Sequence, residues 1–183
     1  APSWQPDNIF ESCIDDILKY LKDTEYDFIL RPHPQQVRHM PELFEELRKK
    51  YETEGSNIKV DTDFSKTNPV MEADLLITDW SDICWEYSFT TKRPVLFINT
   101  PMKVMNPDYE KINIVPKNIK LRNVIGKSVD PDKAEEVKPA IDYLLEHAGE
   151  YNKTIDDTFH QYIFNIGKSK ILCGKYILKR LGK

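Results

Sequence analysis

The sequence has few cysteines, no long apolar run and no net positive charge. Three cysteines occur in 183 residues, widely spaced and odd in number, which indicates reduced, buried thiols in a cytosol rather than a disulfide framework. The longest apolar stretches, such as residues 95–98, are too short to cross a bilayer. Residues 1–6 lack the basic start and apolar run of a signal peptide. The sequence therefore predicts a cytoplasmic protein.

Metal-binding spacings and a basic composition are also missing. No Cys-x-x-Cys or His-x-x-x-His pair occurs, so we expect no metal site, and no other cofactor is predicted. The net charge of -4 disfavours nucleic acid as a partner, because such binding relies on Lys and Arg neutralising phosphates. What is present, 40% hydrophobic and 31% charged residues, is typical of one globular domain.

The chain opens on Ala1 rather than methionine, directly in a loop-like run that contains two prolines. We therefore expect residues 1–183 to be a single domain belonging to a longer protein. Residues 150–183 are expected to form a helical extension at its C-terminal end.

Apolar spacing divides the chain into alternating helices and short strands. The helical period marks residues 8–22, 41–53, 132–148 and 168–181, and a further helix is predicted to begin near Ser81 and to run to about residue 91. Strand-like runs occur at residues 26–30, 58–60, 73–78 and 94–98, whereas residues 101–130 are expected to be irregular. Short buried strands that alternate with helices predict an α/β fold with a mostly parallel, doubly wound sheet.

Three finer predictions concern individual residues of these elements. Asp7 is expected to be the N-cap of the first helix. His160 is expected in a linker before the last helix, and that helix is expected to turn Ile171, Leu178 and Leu181 inward.

Polar clusters follow three of the predicted strands. They are Arg31-Pro32-His33-Pro34, Asp79-Trp80-Ser81-Asp82 and Asn99-Thr100-Pro101. Ligands of parallel α/β sheets bind at the carboxyl ends of the strands, so we expect the three clusters to project from one edge.

In the first cluster, a guanidinium and an imidazole flank a proline. The prolines favour an extended loop, in which residues two apart share a face, so Arg31 and His33 can meet one anion. A guanidinium binds phosphate oxygens in pairs, and an imidazole donates a further hydrogen bond. The alternative is that Arg31 pairs with a surface carboxylate and His33 is an incidental loop residue.

The second cluster combines a carboxylate with the start of a helix. Ser81 is expected where that helix begins, either as a phosphate ligand at its positive end or simply as an N-cap. Asp79 either bonds a ribose hydroxyl, or bonds backbone, or merely caps the helix. Thr78, which precedes it, is a further candidate for binding the donor, and Glu86 either faces the same crevice or is solvated. Trp4, in the first loop, is a candidate wall of a nucleotide pocket.

Taken in order, these motifs resemble the C-terminal half of the CDP-glycerol glycerophosphotransferase family, the enzymes of teichoic-acid and related capsule synthesis. The resemblance covers roughly residues 1–126 and is fairly specific because four weak motifs occur in the right order. They are Ala1-Pro2-Ser3-Trp4, Arg31-Pro32-His33-Pro34, Ala73-Asp74-Leu75-Leu76-Ile77-Thr78-Asp79-Trp80-Ser81, and Glu86-Tyr87 with Lys92-Arg93-Pro94-Val95-Leu96-Phe97.

The resemblance implies a two-lobed transferase of the GT-B type, in which this chain is the Rossmann-like C-terminal lobe that holds CDP-glycerol. An acceptor hydroxyl would attack the donor phosphorus and CMP would leave. Arg31 and His33 would neutralise the pyrophosphate as catalytic residues, and Ser81 would bind a phosphate. The acceptor-binding lobe and the general base are expected outside this chain, since the family's His-Gly motif does not occur here. The chain alone is therefore expected to be inactive.

Asp82 departs from the family pattern, in which a second Ser or a Gly is usual. A carboxylate beside a phosphate site weakens binding unless it points away or meets a cation. The donor therefore stays open, with a related polyol-phosphate donor as one alternative. Others are a nucleotide-sugar lobe, of a GT-B glycosyltransferase or a UDP-sugar 2-epimerase-like protein, and a non-enzymatic binding module.

The last predicted helix is strongly basic. One interpretation is a solvated helix face, and the other is peripheral contact with anionic headgroups at the inner face of the cell membrane. The cations are Lys168, Lys170, Lys175, Lys179, Arg180 and Lys183.

Overall fold

The computed structural model of the protein describes residues 1–65, 69–112 and 114–182. The strands are β1 (Phe28–Leu30), β2 (Ile58–Val60), β3 (Leu76–Thr78), β4 (Val95–Ile98) and β5 (Gly126–Val129). The helices are α1 (Ile9–Ser12), α2 (Ile14–Leu21), α3 (Pro34–His39), α4 (Pro41–Tyr51), α5 (Ile83–Thr91), α6 (Lys117–Lys120), α7 (Arg122–Ile125), α8 (Val137–Glu146), α9 (Ala148–Tyr162) and α10 (Ser169–Arg180).

Every strand pairing found among the described residues is parallel. β1 pairs with β2, so that Phe28 lies opposite Ile58. β4 lies between β3 and β5, and its Val95 lies opposite both Leu76 and Gly126. The predicted α/β class with a Rossmann-like parallel sheet is therefore confirmed, with the strands in two groups, β1–β2 and β3–β4–β5.

β4 shows that the sheet is covered on both faces. Its alternate residues Val95 and Phe97 pack in one cluster with α5 and α9, whereas Leu96 and Ile98 pack in another with α2, α4 and α8. All four side chains are fully buried. This explains why the strand reads as a continuous apolar run rather than an alternating one.

The first predicted helix is in fact two helices, and its predicted cap is wrong. Asn8 is the N-cap of α1, where its side chain accepts a hydrogen bond from the Phe10 N–H. Asp7 instead has a φ of 55°, a left-handed conformation that short polar residues tolerate. Cys13 separates α1 from α2.

Several elements occur where the sequence predicted none. The segment 101–130 contains α6, α7 and β5, and His160 lies in α9 rather than in a linker. β5 lacks an apolar run, and its place depends on Gly126. A Cβ at this position would overlap the Val95 carbonyl oxygen, so only glycine lets β5 approach β4 this closely.

α10 is helical as predicted, but it does not pack as predicted. None of its residues is buried, and Ile171, Leu178 and Leu181 are 60%, 49% and 66% exposed. Lys183 of the basic stripe lies outside the described residues. In the part of the chain that is described, no helix has the length and apolar character needed to span a membrane.

The three cysteines occupy two kinds of environment. Cys13 and Cys84 are buried, as predicted, whereas Cys173 is exposed on α10, which corrects the prediction of three buried thiols. Burial raises the pKa of both inner thiols, that of Cys84 to about 12.

Candidate functional site

The loops that follow β3 and β4 meet the first residues of the chain at one place. The Ser3 N–H donates to the Asp79 Oδ1 at 2.7 Å, which ties the N-terminal loop to the end of β3. The Trp80 Nε1–H donates to the Thr100 carbonyl at 2.7 Å, which ties the end of β3 to the end of β4. Two of the three predicted strand-end clusters are therefore brought into contact by hydrogen bonds.

Asp79 is the buried residue at the junction where the N-terminal loop meets the loops that follow β3 and β4. It is fully buried, and its Oδ1 accepts hydrogen bonds from the backbone of Ser3 and of Trp80, at 2.7 and 2.6 Å. Thr78 is also fully buried, and its hydroxyl donates to the Ala1 carbonyl at 2.7 Å. Of the alternatives that the sequence left open, the structure places Asp79 on backbone N–H groups.

Arg122 is the buried cation of the junction, and sequence reasoning missed it. Its guanidinium donates to the Asp79 carbonyl at 2.7 Å and to the Asn99 Oδ1 at 3.0 Å. It lies 3.9 Å from the Trp80 ring centre and 4.3 Å from that of Phe97. Burial lowers the pKa of Arg122 to about 10, well above neutrality, so the group is charged. Arg122 precedes β5 on α7, away from any strand end, and no signal in the sequence marks it.

Beside Arg122, a small recess opens at the start of α5. Its lining includes Ser81, Asp82, Cys84 and Asn118, and its volume is about 20 Å³, enough for about one water molecule. α5 begins at Ile83 with Asp82 as N-cap, so the prediction that the helix begins at Ser81 was early by two residues. Asp82 is exposed and its side chain makes no capping hydrogen bond.

Glu86 lies in the first turn of α5 and is exposed. This is the solvated position that the sequence left as an alternative to the crevice.

Arg31 is engaged by an acidic partner. Its guanidinium donates to the Asp61 carboxylate at 2.6 Å and to the Asp63 carbonyl at 2.8 Å. It also lies 4.4 Å from the centre of the Phe64 ring. The side chain is only 10% exposed and that of Asp61 is 20% exposed, so solvent screens the pair incompletely. An anion that binds Arg31 must compete with Asp61.

His33 lies at the start of α3, which the sequence did not predict. Its own backbone is extended, but Pro34 begins the helix, so the extended loop ends one residue earlier than expected. The Gln35 N–H donates to the His33 Nδ1 at 3.1 Å. Because Nδ1 is the acceptor, the imidazole proton lies on Nε2, and the exposed ring can donate it to a ligand.

Trp4 lies near the other end of α3. It is 38% exposed and stacks on His39 at 5.5 Å between ring centres, with an angle of 16° between the planes. The N-terminal loop is thereby joined both to α3, which follows β1, and to the end of β3.

Unused hydrogen-bonding groups concentrate in the loops of this junction. In the described ranges, the buried atoms there without a hydrogen-bond partner are Ser3 Oγ, Gln5 Oε1, Asp79 Oδ2 and Thr100 Oγ1. Buried polar atoms in native proteins are nearly always paired, and such exceptions call for an explanation. The carboxyl edge of β3 and β4 therefore has buried polar atoms that remain available to a ligand or to water.

The fold and the polar loops define a Rossmann-like α/β domain, a class whose ligands bind at the carboxyl ends of the strands. Comparison with protein families sharpens this class. The model of the CDP-glycerol:poly(glycerophosphate) glycerophosphotransferase family matches residues 5–106, more than half of the chain.

The chain therefore belongs to this family, as the resemblance of its motifs predicted, and its function is of the glycerophosphotransferase type. The match includes the loops of Arg31, His33 and Ser81 and ends before Arg122. No curated protein and no solved structure matches the chain.

Proposed function

We propose that this domain binds the nucleotide-activated donor of a glycerophosphotransferase, CDP-glycerol or a related polyol-phosphate donor, at the carboxyl edge of β3 and β4. One observation carries the proposal. Two strand-end loops and the N-terminal loop converge on a buried Asp79–Arg122 core, next to the start of α5. Rigid support of this kind is what a phosphate-binding loop requires.

Ser81 and the start of α5 are the proposed phosphate site. The first N–H groups of a helix point outward and favour an anion, and Ser81 adds a hydroxyl. The recess of about 20 Å³ is too small for a phosphate group, so the phosphate binds at its mouth, where Ser81 is only partly covered. Asp82 is exposed there, and solvent therefore weakens its repulsion of the phosphate.

His33 and Arg31 are the proposed neutralising groups for the pyrophosphate. His33 donates from Nε2, the ring nitrogen that its capping hydrogen bond leaves free for a ligand. Arg31 turns from Asp61 to the donor when the diphosphate supplies a stronger anionic partner than one carboxylate. Trp4, stacked on His39 at the end of α3 away from His33, forms the wall for the nucleotide base.

In the proposed reaction, an acceptor hydroxyl oxygen attacks the phosphorus that carries the glycerol. The new phosphorus–oxygen bond forms as the bond to the CMP phosphate oxygen breaks, and CMP leaves with the electron pair. Neutralising the charge that develops on CMP lowers the barrier. We assign the base that takes the acceptor proton, and the acceptor site itself, to a second lobe in the longer protein. The product is a teichoic-acid or capsule-type polymer.

Calorimetric titration of the chain with CDP, CMP, UDP and GDP tests the proposal. We expect cytidine nucleotides to bind, and CDP to bind more tightly than CMP because of its second phosphate. His33→Ala and Ser81→Ala should each weaken CDP binding by about tenfold, which corresponds to about 1.4 kcal/mol for one charge-assisted hydrogen bond.

Matched controls come from residues of the same type away from the site. His160→Ala on α9 and Ser169→Ala on α10 remove an exposed imidazole and an exposed hydroxyl and should leave CDP affinity unchanged. Failure of the chain to bind any cytidine nucleotide, or equal losses in the site and control variants, would refute the proposal.

A further inference from the structure

A cavity lies between the two groups of strands, and its lining reaches Ala1 and Arg31 at the start of the polar loops. It has a volume of about 620 Å³ and is bounded by β1 on one side and by β3 on the other. α2 contributes Ile14, Leu18 and Leu21 to its wall, and α8 contributes Ile141. Among the described residues, no strand pairs with β1 or with β3 on the side that faces this cavity.

The backbone of β1 offers hydrogen bonds to this cavity. The Phe28 N–H and the Leu30 carbonyl are bonded on the β2 side, at 2.7 and 3.0 Å. Successive residues of a strand turn their backbone groups to opposite sides, so the N–H and carbonyl of Ile29 point away from β2. They point into the cavity, and the Ile29 side chain is 48% exposed.

On the other side, the first residues of the chain run beside β3 in the same direction. The Ala1 amino group donates to the Ile77 carbonyl at 2.9 Å, and the Ser3 N–H donates to the Asp79 carboxylate at 2.7 Å. Thr78, between these two acceptors, donates to the Ala1 carbonyl at 2.7 Å. Chain joined ahead of Ala1 and continuing this direction would enter the cavity beside β3.

The Ala1 amino group is poorly placed for a charge. Burial lowers its pKa to about 5, although the negative charge of Asp79 opposes this shift. A peptide N–H at the same point would keep the hydrogen bond to Ile77 and carry no charge. The site therefore suits an amide within a strand better than an ammonium.

We propose that one more parallel strand, continuous with the nitrogen of Ala1, fills this cavity and pairs with β1 on one side and β3 on the other. This inference does not rest on the proposed function. With the added strand counted first along the chain, the sheet reads β2, β1, added strand, β3, β4, β5. That is strand order 3-2-1-4-5-6, the order of a Rossmann sheet.

The bond between Ala1 and Ile77 also sets the register of the added strand. In a parallel pair, a carbonyl accepts from the residue that follows the one directly opposite. The residue directly ahead of Ala1 therefore lies opposite Ile77. The strand order reverses direction between the added strand and β3, which is the point where ligands of such sheets bind. The loops of Ala1–Trp4 and Thr78–Ser81 flank that point.

Two extended chains test whether the cavity accepts a strand. One carries Val-Ile-Val-Ile-Val ahead of Ala1 and the other carries Gly-Ser-Gly-Ser-Gly, so both replace the buried ammonium with an amide and only the first is a good strand. We expect the first to melt about 5 °C or more above the second, and its Ile29 and Ile77 amides to exchange at least about tenfold more slowly. Equal melting and equal exchange would overturn the proposal.

A disulfide tests the register independently of stability. In an Ile77→Cys, Cys173→Ser background, a cysteine placed directly ahead of Ala1 should form a disulfide with position 77. Opposite residues of adjacent strands are about 4.8 Å apart, within disulfide range. A cysteine one position further back points to the other face and should form none. No bond from either position, or bonds only between two molecules, would overturn the proposal, the latter in favour of strand exchange between copies.

Discussion

The two strand-end loops that match the family hold their charged groups in different ways. In the loop after β1, Arg31 is paired with the side chain of Asp61, and His33 is exposed. In the loop after β3, Asp79 is buried and its Oδ1 is bonded by backbone N–H groups, while Arg122 donates to its carbonyl. A side-chain partner can be exchanged for a ligand, whereas backbone partners cannot be exchanged without moving the chain.

Because of this difference, we expect the two loops to have different roles, which the sequence alone did not distinguish. In the loop after β3, the inner residues Thr78 and Asp79 are buried and support the fold. Only from Ser81 onward is this loop exposed enough to contact a ligand.

In the loop after β1, Arg31 is held by the Asp61 side chain, which a ligand can replace, and by the Asp63 carbonyl. The exposed His33 ring, by contrast, keeps Nε2 available to a ligand. We therefore expect substitutions in the first loop to alter donor binding, and those in the inner half of the second to alter stability.

The largest effect is expected for Arg122→Ala. The change leaves the buried Asp79 without its nearby cation and two acceptors without their donor, which should lower the free energy of unfolding by about 3–5 kcal/mol. Arg31→Ala should cost less, about 1–3 kcal/mol, because its pair is partly solvated. Urea unfolding measures both, with the exposed Arg38→Ala as control, expected within about 0.5 kcal/mol of the parent. Equal losses for Arg122→Ala and Arg31→Ala would remove the distinction between the loops.

The second prediction concerns pH and the end of the chain that lies against β3. The Ala1 amino group has a pKa of about 5 in the folded protein and near 8 when unfolded. As the pH falls from 8 to 5, the unfolded chain takes up a proton that the folded chain does not. The free energy of unfolding should therefore fall, by about 1.4 kcal/mol per unit and at most about 4 kcal/mol in all.

Acetylation of Ala1 removes the titrating amino group. Comparing the acetylated and the free chain therefore separates its contribution to the free energy of unfolding from that of other titrating groups. The acetylated chain should be the more stable form at pH 5, and the two forms should converge near pH 8. If the two denaturation profiles stay parallel across this range, the amino group is solvated rather than buried.

The third prediction uses Gly126, which adjoins the helix that carries Arg122. Gly126→Ala forces β5 away from the Val95 backbone and should cost about 1–3 kcal/mol. Its effect on hydrogen exchange should reach Trp80 through Arg122 and spare His33. Gly149→Ala in α9 meets no atom within 4 Å and should stabilise the protein by about 0.5–1 kcal/mol. Uniform loss of protection in both loops would show that they are not separate units.

The smallest effect is expected for Asp61→Asn. It tests most directly whether Arg31, in the loop after β1, binds the donor. Asp61→Asn removes the anion that competes for Arg31, so CDP should bind about three- to tenfold more tightly by calorimetry. Asp15→Asn, which neutralises a remote carboxylate paired with Lys50, is the control and should leave affinity unchanged. If Asp61→Asn lowers stability without changing affinity, Arg31 is a structural residue like Arg122.

The sequence predicted the parts of the fold that depend on local pattern. β4 was recognisable because burial on both faces requires an apolar run, and α4 because its apolar residues repeat at the helical period. β5 was not recognisable from the sequence, because its position is set by the contact of Gly126 with Val95 in β4, a strand distant in sequence. The spacing of apolar residues correctly predicted that α10 is a helix. Spacing alone does not predict what the apolar side of that helix contacts.

The candidate site likewise contains residues that the sequence predicted and one residue that it did not. Arg31, His33 and Ser81 were predicted because they follow strands within three residues, where ligands of parallel sheets bind, and their roles stay predictions. Arg122 was missed because it reaches Asp79 across 43 residues, from a short helix that no pattern marks. That contact is a product of the tertiary fold, and a single sequence holds no trace of it.

The unequal burial of the three thiols has a practical consequence. Cys13 and Cys84 are enclosed and resist ionisation, whereas Cys173 stands in solvent on α10. A maleimide dye should therefore attach to the native protein at one position without any mutagenesis. The labelled chain would report, through the dye's anisotropy, whether a nucleotide, a vesicle or another polypeptide comes to rest against that helix.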